Sequence, residues 1–75
     1  MKHKVIDVHH GSTSESWLVV YEDGRIQFHL ENDGARFLRC GAEAINRGIT
    51  LADVEAHYGR QIEQVRAALT EFGQQ

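Results

Sequence analysis

A single cysteine, Cys40, stands in 75 residues, so no internal disulfide can form and no cysteine-based zinc motif exists. Long apolar runs are missing as well, and nothing approaches membrane-spanning length. The opening Met1-Lys2-His3-Lys4 is basic, but Asp7 interrupts the apolar stretch that follows. A signal-peptide core is therefore lacking, and a cytoplasmic protein with no membrane contact is the expectation. There is no excess of basic charge: 8 Lys and Arg stand against 11 Asp and Glu, for a net charge of −3. That balance counts against indiscriminate nucleic-acid binding while leaving room for a local basic face. No glycine-rich phosphate loop occurs. The glycines at 11, 24, 34, 41, 48, 59 and 73 read as turns, caps or close-packing positions. Repeats, linkers and low-complexity tracts are absent.

What remains is the composition of a folded protein, with 41% apolar residues. The length allows one domain, 1–75, of marginal stability and too small to enclose a deep catalytic cleft. Strand formers mark 4–8 and Trp17-Leu18-Val19-Val20-Tyr21 (17–21). Glu22-Asp23-Gly24 is a hairpin turn, because Gly24 adopts positive φ without steric cost. In the third strand, 25–30, Ile26, Phe28 and Leu30 alternate with Arg25, Gln27 and His29. Asn32-Asp33-Gly34 offers an N-cap to a helix over 34–46, with Phe37, Leu38, Gly41, Ala42 and Ile45 as its buried stripe and Gly48 past its end. Thr50-Leu51-Ala52-Asp53 resembles a capping box opening a helix over 51–58, in which Leu51, Val54 and Tyr58 face inward. A last helix over 61–72 carries Ile62, Val65, Leu69 and Phe72 at core spacing. The fold class is α+β: a small winged-helix-like domain, an antiparallel sheet of two to three strands followed by three helices.

Residues able to do chemistry are scattered. His3, His9 and His10 could share a metal, but their spacing matches no helical ligand pair, and solvent-exposed histidines are the simpler reading. Cys40 could be a nucleophile only if a base such as His29 or His57 converged on it, and a small packing residue is the simpler reading. Glu22-Asp23 and Glu31/Asp33 sit at turns and helix starts, where carboxylates complement the helix dipole. No catalytic residue, cofactor or metal is therefore assigned, and an enzyme is not expected.

The last two helices can be aligned as a helix-turn-helix with Gly59 at its turn. The second would then present Arg60, Gln61, Gln64 and Arg66 to duplex DNA, and the protein would act as a homodimer. Glu55 and Arg60 depart from the motif's usual residue types, and Glu63 and Glu71 would repel phosphate.

Taken together, Trp17 to Phe72, about three-quarters of the chain, resembles the PqqD-like family of leader-peptide recognition domains. The segments that carry the resemblance are the hairpin from Trp17 to Arg25, the passage Phe28 to Leu38, the helix start Gly48 to Val54, and Val65-Arg66-Ala67-Ala68-Leu69. The resemblance implies a non-enzymatic module that presents a precursor peptide to a separate modifying enzyme. It further implies that the peptide adds as a strand to the edge of the third strand, beside the last helix. On this chain that site comprises Arg25, Ile26, Gln27, Phe28 and His29, with Gln61, Val65 and Ala68 as the groove wall. An edge strand is a physically suitable receptor, because its unpaired N–H and C=O groups accept an extended peptide. A DNA-binding regulator or antitoxin-like protein is the alternative.

Overall fold

The computed structural model describes residues 1–12, 14–32 and 43–74. Four strands come first: β1 (His3–His10), β2 (Ser14–Tyr21), β3 (Ile26–Asn32) and β4 (Glu43–Ile49). Two helices follow, α1 (Leu51–His57) and α2 (Ile62–Glu71). The strands form one antiparallel meander in the order β1-β2-β3-β4. The domain is thus a small α+β unit, a four-stranded antiparallel sheet followed by two helices.

The β2–β3 turn forms where Asp23-Gly24 predicts it. Gly24 has φ +91° and donates its N–H to Tyr21 O at 3.0 Å, while Tyr21 N–H donates to Arg25 O at 2.9 Å. This is a three-residue hairpin loop whose left-handed position needs glycine. Asp23 braces it by accepting from Arg25 N–H (3.0 Å) and Arg25 Nε (2.8 Å).

Period-two alternation gives the sheet two unlike faces. One carries Ile6, Leu18, Val20, Ile26 and Phe28, all buried beneath Val54, Val65, Ala68 and Leu69 of the helices. Leu30, Ile49, Leu51, Tyr58, Ile62 and Phe72 close the margins of this core. The helical inward positions expected from spacing therefore meet the face expected from alternation.

Helix α1 starts as its capping box predicts. Asp53 N–H donates to Thr50 Oγ1 at 3.1 Å, and Thr50 N–H donates to Asp53 Oδ2 at 3.0 Å. Glu55 of α1 pairs with Arg66 of α2 at 2.5 Å, and Lys4 of β1 pairs with Glu71 of α2.

The stretch 43–49 overturns one expectation. Residues 43–46, expected to finish a helix, form strand β4, paired without interruption to β3 from Ile26↔Ile49 to Asn32↔Glu43. Glu43 and Ala44 favour helix locally, but pairing along the whole of β3 outweighs a propensity worth only tenths of a kcal/mol per residue. Gly48 accordingly lies within a strand and is not a helix stop. The expected helical stretch 34–42, with Phe37, Leu38, Cys40, Gly41 and Ala42, falls outside the described residues. Two helices, not three, are present among the described residues.

Candidate functional site

Strand β3, expected to be the open edge, is interior. It pairs with β2 on one side and β4 on the other. The peptide-binding set expected around it is divided between the two faces of the sheet. Ile26, Phe28, Val65 and Ala68 are packed together in the core, so Ala68 leaves no room for a partner side chain. Gln27 and His29 project from the opposite face, Gln27 accepting a hydrogen bond from the Tyr21 hydroxyl at 3.0 Å. Arg25 sits in the hairpin end with its guanidinium 4.8 Å from the Tyr21 ring centre. Gln61 is the half-buried N-cap of α2 and makes no side-chain capping bond.

The real edges are β1 and β4, and they are not equivalent. The β1–β2 register slips between Asp7 and His9. Such a bulge breaks the regular spacing of donors and acceptors and discourages further pairing. Strand β4 has no slip over its seven paired residues. Its outward groups follow from alternation. Because Tyr21 N–H bonds Arg25 O, the odd residues of β3 face β2 and the even ones face β4. Glu43, Ile45, Arg47 and Ile49 are then spent on β3, and Ala44, Asn46 and Gly48 turn their N–H and C=O groups outward. Asn46, Arg47 and Gly48 are exposed, and no described residue pairs with this edge.

Beside the edge, on the helix side, runs a cleft of about 490 Å³ lined by Arg47, Gly48, Ile49, Asp53, His57 and Tyr58. Tyr58 is the aromatic residue of its lining, and Phe28 lies buried behind it. Tyr58 stacks on Phe28 with ring centres 5.4 Å apart, and the Arg47 guanidinium lies 5.7 Å from the Phe28 ring centre. The Asp53 carboxyl is held below its ordinary pKa, first by the Thr50 backbone N–H and then by the Thr50 hydroxyl, with His57 and Arg47 adding smaller electrostatic help. Capping thus fixes the carboxylate's position in the cleft wall.

Gly48 is the unusual residue of this edge. Its φ is outside the left-handed region, and an added Cβ would meet no atom within 4 Å. The fold itself therefore does not require glycine there. A glycine in a strand weakens it and commonly marks close approach by another backbone.

The DNA set gathers around the α1–α2 junction, but α2 presents mixed charge. Arg60 and Gln64 are exposed, Arg66 is bound to Glu55, and Glu63 and Glu71 share the helix surface. The N-terminal histidines have separate neighbours: His3 packs by Tyr21, and His10 lies 3.3 Å from Asp7 and 3.6 Å from Glu15. Among the described residues no group of three or more His, Cys, Asp or Glu side chains could hold a metal ion. None of the described helices is long and apolar enough to cross a membrane.

Sequence reasoning missed β4. The available signal was Ile45 and Ile49 flanking Arg47 at period two, with an edge glycine between them, and helix formers upstream masked it. No family model, curated protein or solved structure matches the chain.

Proposed function

We propose that this domain is a non-enzymatic peptide-binding module that takes an extended segment of a precursor peptide as a fifth strand on β4 and presents it to a modifying enzyme. The observation that carries the reading is the β4 edge: regular, exposed and bordered by a cleft. Strand addition draws its affinity from main-chain hydrogen bonds and its selectivity from pockets that take alternate side chains. Here the outward groups of Ala44, Asn46 and Gly48 supply the first. The cleft between β4 and α1 supplies the second, receiving every other side chain of the peptide over Ile49, His57 and Tyr58. Gly48 lets the incoming backbone approach closely.

The likeness to leader-peptide recognition domains supports the same class of partner, with the receiving strand moved outward from β3 to β4. The hairpin-then-helices order is what remains of the winged-helix likeness, and the proposal does not depend on it. DNA binding through Arg60, Gln61, Gln64 and Arg66 is the weaker reading, because Arg66 already pairs with Glu55 and two glutamates share the helix.

The test is selection of binders from a displayed library of random twelve-residue peptides, followed by titration into the wild type and Asn46→Pro. Proline at 46 removes an outward N–H without touching the β3 ladder. Affinity should fall at least about tenfold, the worth of one lost hydrogen bond plus a steric block. Undiminished binding to a folded Asn46→Pro variant would refute the reading. Arbitrary duplex DNA at low salt is the counter-test: salt-sensitive amide shifts over Arg60 to Arg66 would favour the DNA reading instead.

A further inference from the structure

Two hollows border the β4 edge on the helix side, and they differ in chemistry. The cleft described above holds Arg47, Asp53 and His57. Past Ile49, at the hairpin end of the sheet, lies a second hollow of about 470 Å³. Its lining includes four aliphatic side chains, Ile26, Ile49, Leu51 and Leu69, and it shares Gly48 and Ile49 with the first. Arg25 also reaches it, but that guanidinium is already bound to Asp23 at 2.8 Å. The edge therefore passes from a charged hollow to an apolar one between Arg47 and Ile49.

Arg47 is the open charge of the first hollow. It is exposed, with its guanidinium 5.7 Å from the Phe28 ring centre, and it makes no ion pair among the described residues. Asp53, the carboxylate of the same hollow, is occupied in the capping box, accepting from Thr50 N–H at 3.0 Å. His57, exposed nearby, has a ring N–H to donate in either neutral tautomer. A ligand thus meets a cation and a donor, against one carboxylate already in use.

We infer that the peptide taken up on β4 is read through two side chains, an apolar residue followed two positions later by Asp or Glu. The inference rests on the strand-addition reading and narrows its partner to peptides of that pattern. Strand geometry sets the spacing and the order. Residues directly opposite one another in an antiparallel ladder share a face, and Arg47 and Ile49 oppose the core residues Phe28 and Ile26. Peptide residues opposite Arg47 and Ile49 therefore point to the helix side as well. Both are non-hydrogen-bonded positions, where facing side chains come closest. The carboxylate becomes the cross-strand partner of Arg47, and the apolar side chain enters the hollow beyond Ile49. The residue between them opposes Gly48, whose outward N–H and C=O hold it. An antiparallel peptide runs from Ile49 toward Arg47, which puts the apolar residue first. Antiparallel addition continues the meander and pairs slightly more strongly per residue than parallel addition.

Sequencing twelve-residue binders selected from a displayed random library tests it, with titrations of single peptides into the full chain. Binders that lose affinity on Asn46→Pro should carry an apolar residue and, two positions toward the C-terminus, Asp or Glu. Serine in place of the apolar residue should weaken binding at least about tenfold, because a buried aliphatic side chain is lost. The amide in place of the acid should weaken it about two- to fivefold, the range of exposed charge pairs, and added salt should erase that difference. Arg47→Gln should bind acid and amide peptides equally. Arg47→Glu, with its thermal midpoint kept, should prefer a peptide with Lys at the acidic position. Binders sensitive to Asn46→Pro but without this spacing overturn the inference and leave strand addition standing. Lys or Arg at the acidic position of wild-type binders overturns it too, and would make Asp53 the reader. The reverse order would mean parallel addition and overturn the order inferred. A selection without binders, or with binders indifferent to Asn46→Pro, overturns both readings.

Discussion

Two proline substitutions, one strand apart, separate an interior strand from an edge. At Gln27 the alternation set by the Tyr21–Arg25 bond turns the N–H toward Val19 in β2. Proline there removes a ladder bond, worth about 1 kcal/mol, and strands the facing carbonyl, which costs about 1–3 kcal/mol more. With the steric conflict of the ring inside a paired sheet, Gln27→Pro should lose about 3 kcal/mol or more. In a domain of this size 1 kcal/mol moves Tm by about 4–8 °C, so the midpoint should drop by roughly 12–24 °C. At Asn46 the N–H faces outward, and Asn46→Pro should cost within about 1 kcal/mol, a shift of at most about 8 °C. Far-UV circular dichroism melts, repeated in urea to compare m values, read both. Equal damage from the two substitutions, or a harmless Gln27→Pro, would refute the strand order on which the candidate site is built.

The capping box gives a second expectation: Thr50→Ala should lose about 1 kcal/mol and lower Tm by about 4–8 °C. Asp53 adds a pH dependence to the same box. Its folded pKa lies below the ordinary carboxylate value, so its stabilisation is present above that value and disappears as pH falls through the folded pKa. Asp53→Asn should therefore narrow its stability gap to wild type in acid melts below about pH 4, the ordinary carboxylate range. In the core, Leu18→Ala should cost about 2–5 kcal/mol, enough to leave the domain largely unfolded, because Leu18 is wholly buried.

How far these residues could be read in advance depended on whether local chemistry or long-range pairing decided them. The hairpin was legible because Asp23 and Gly24 carry its geometry within three residues. The capping box was legible for the same reason, with Thr50 and Asp53 bonding each other. Ile26, Phe28 and Leu30 declared the core face by strict alternation, and Val54, Val65 and Leu69 by helical spacing. Strand β4 was not legible. Glu43 and Ala44 favour helix, and only pairing along β3 makes 43–49 extended. That single addition moved the edge. It made β3 interior and transferred the exposed backbone to Asn46 and Gly48. For Trp17 and Tyr21, β-propensity does not say which face of a sheet the helices will cover. The register does, and it sets both on the face away from them.

The most direct measurement is residue-resolved amide hydrogen exchange across β4, free and saturated with a selected twelve-residue peptide. In the free protein Ile45, Arg47 and Ile49 should be protected by β3, while Ala44, Asn46 and Gly48 exchange freely. Peptide binding should slow Asn46 and Gly48 by at least about tenfold, as outward amides become ladder donors. Unchanged exchange at Asn46 and Gly48 in a saturated complex would contradict strand addition at this edge.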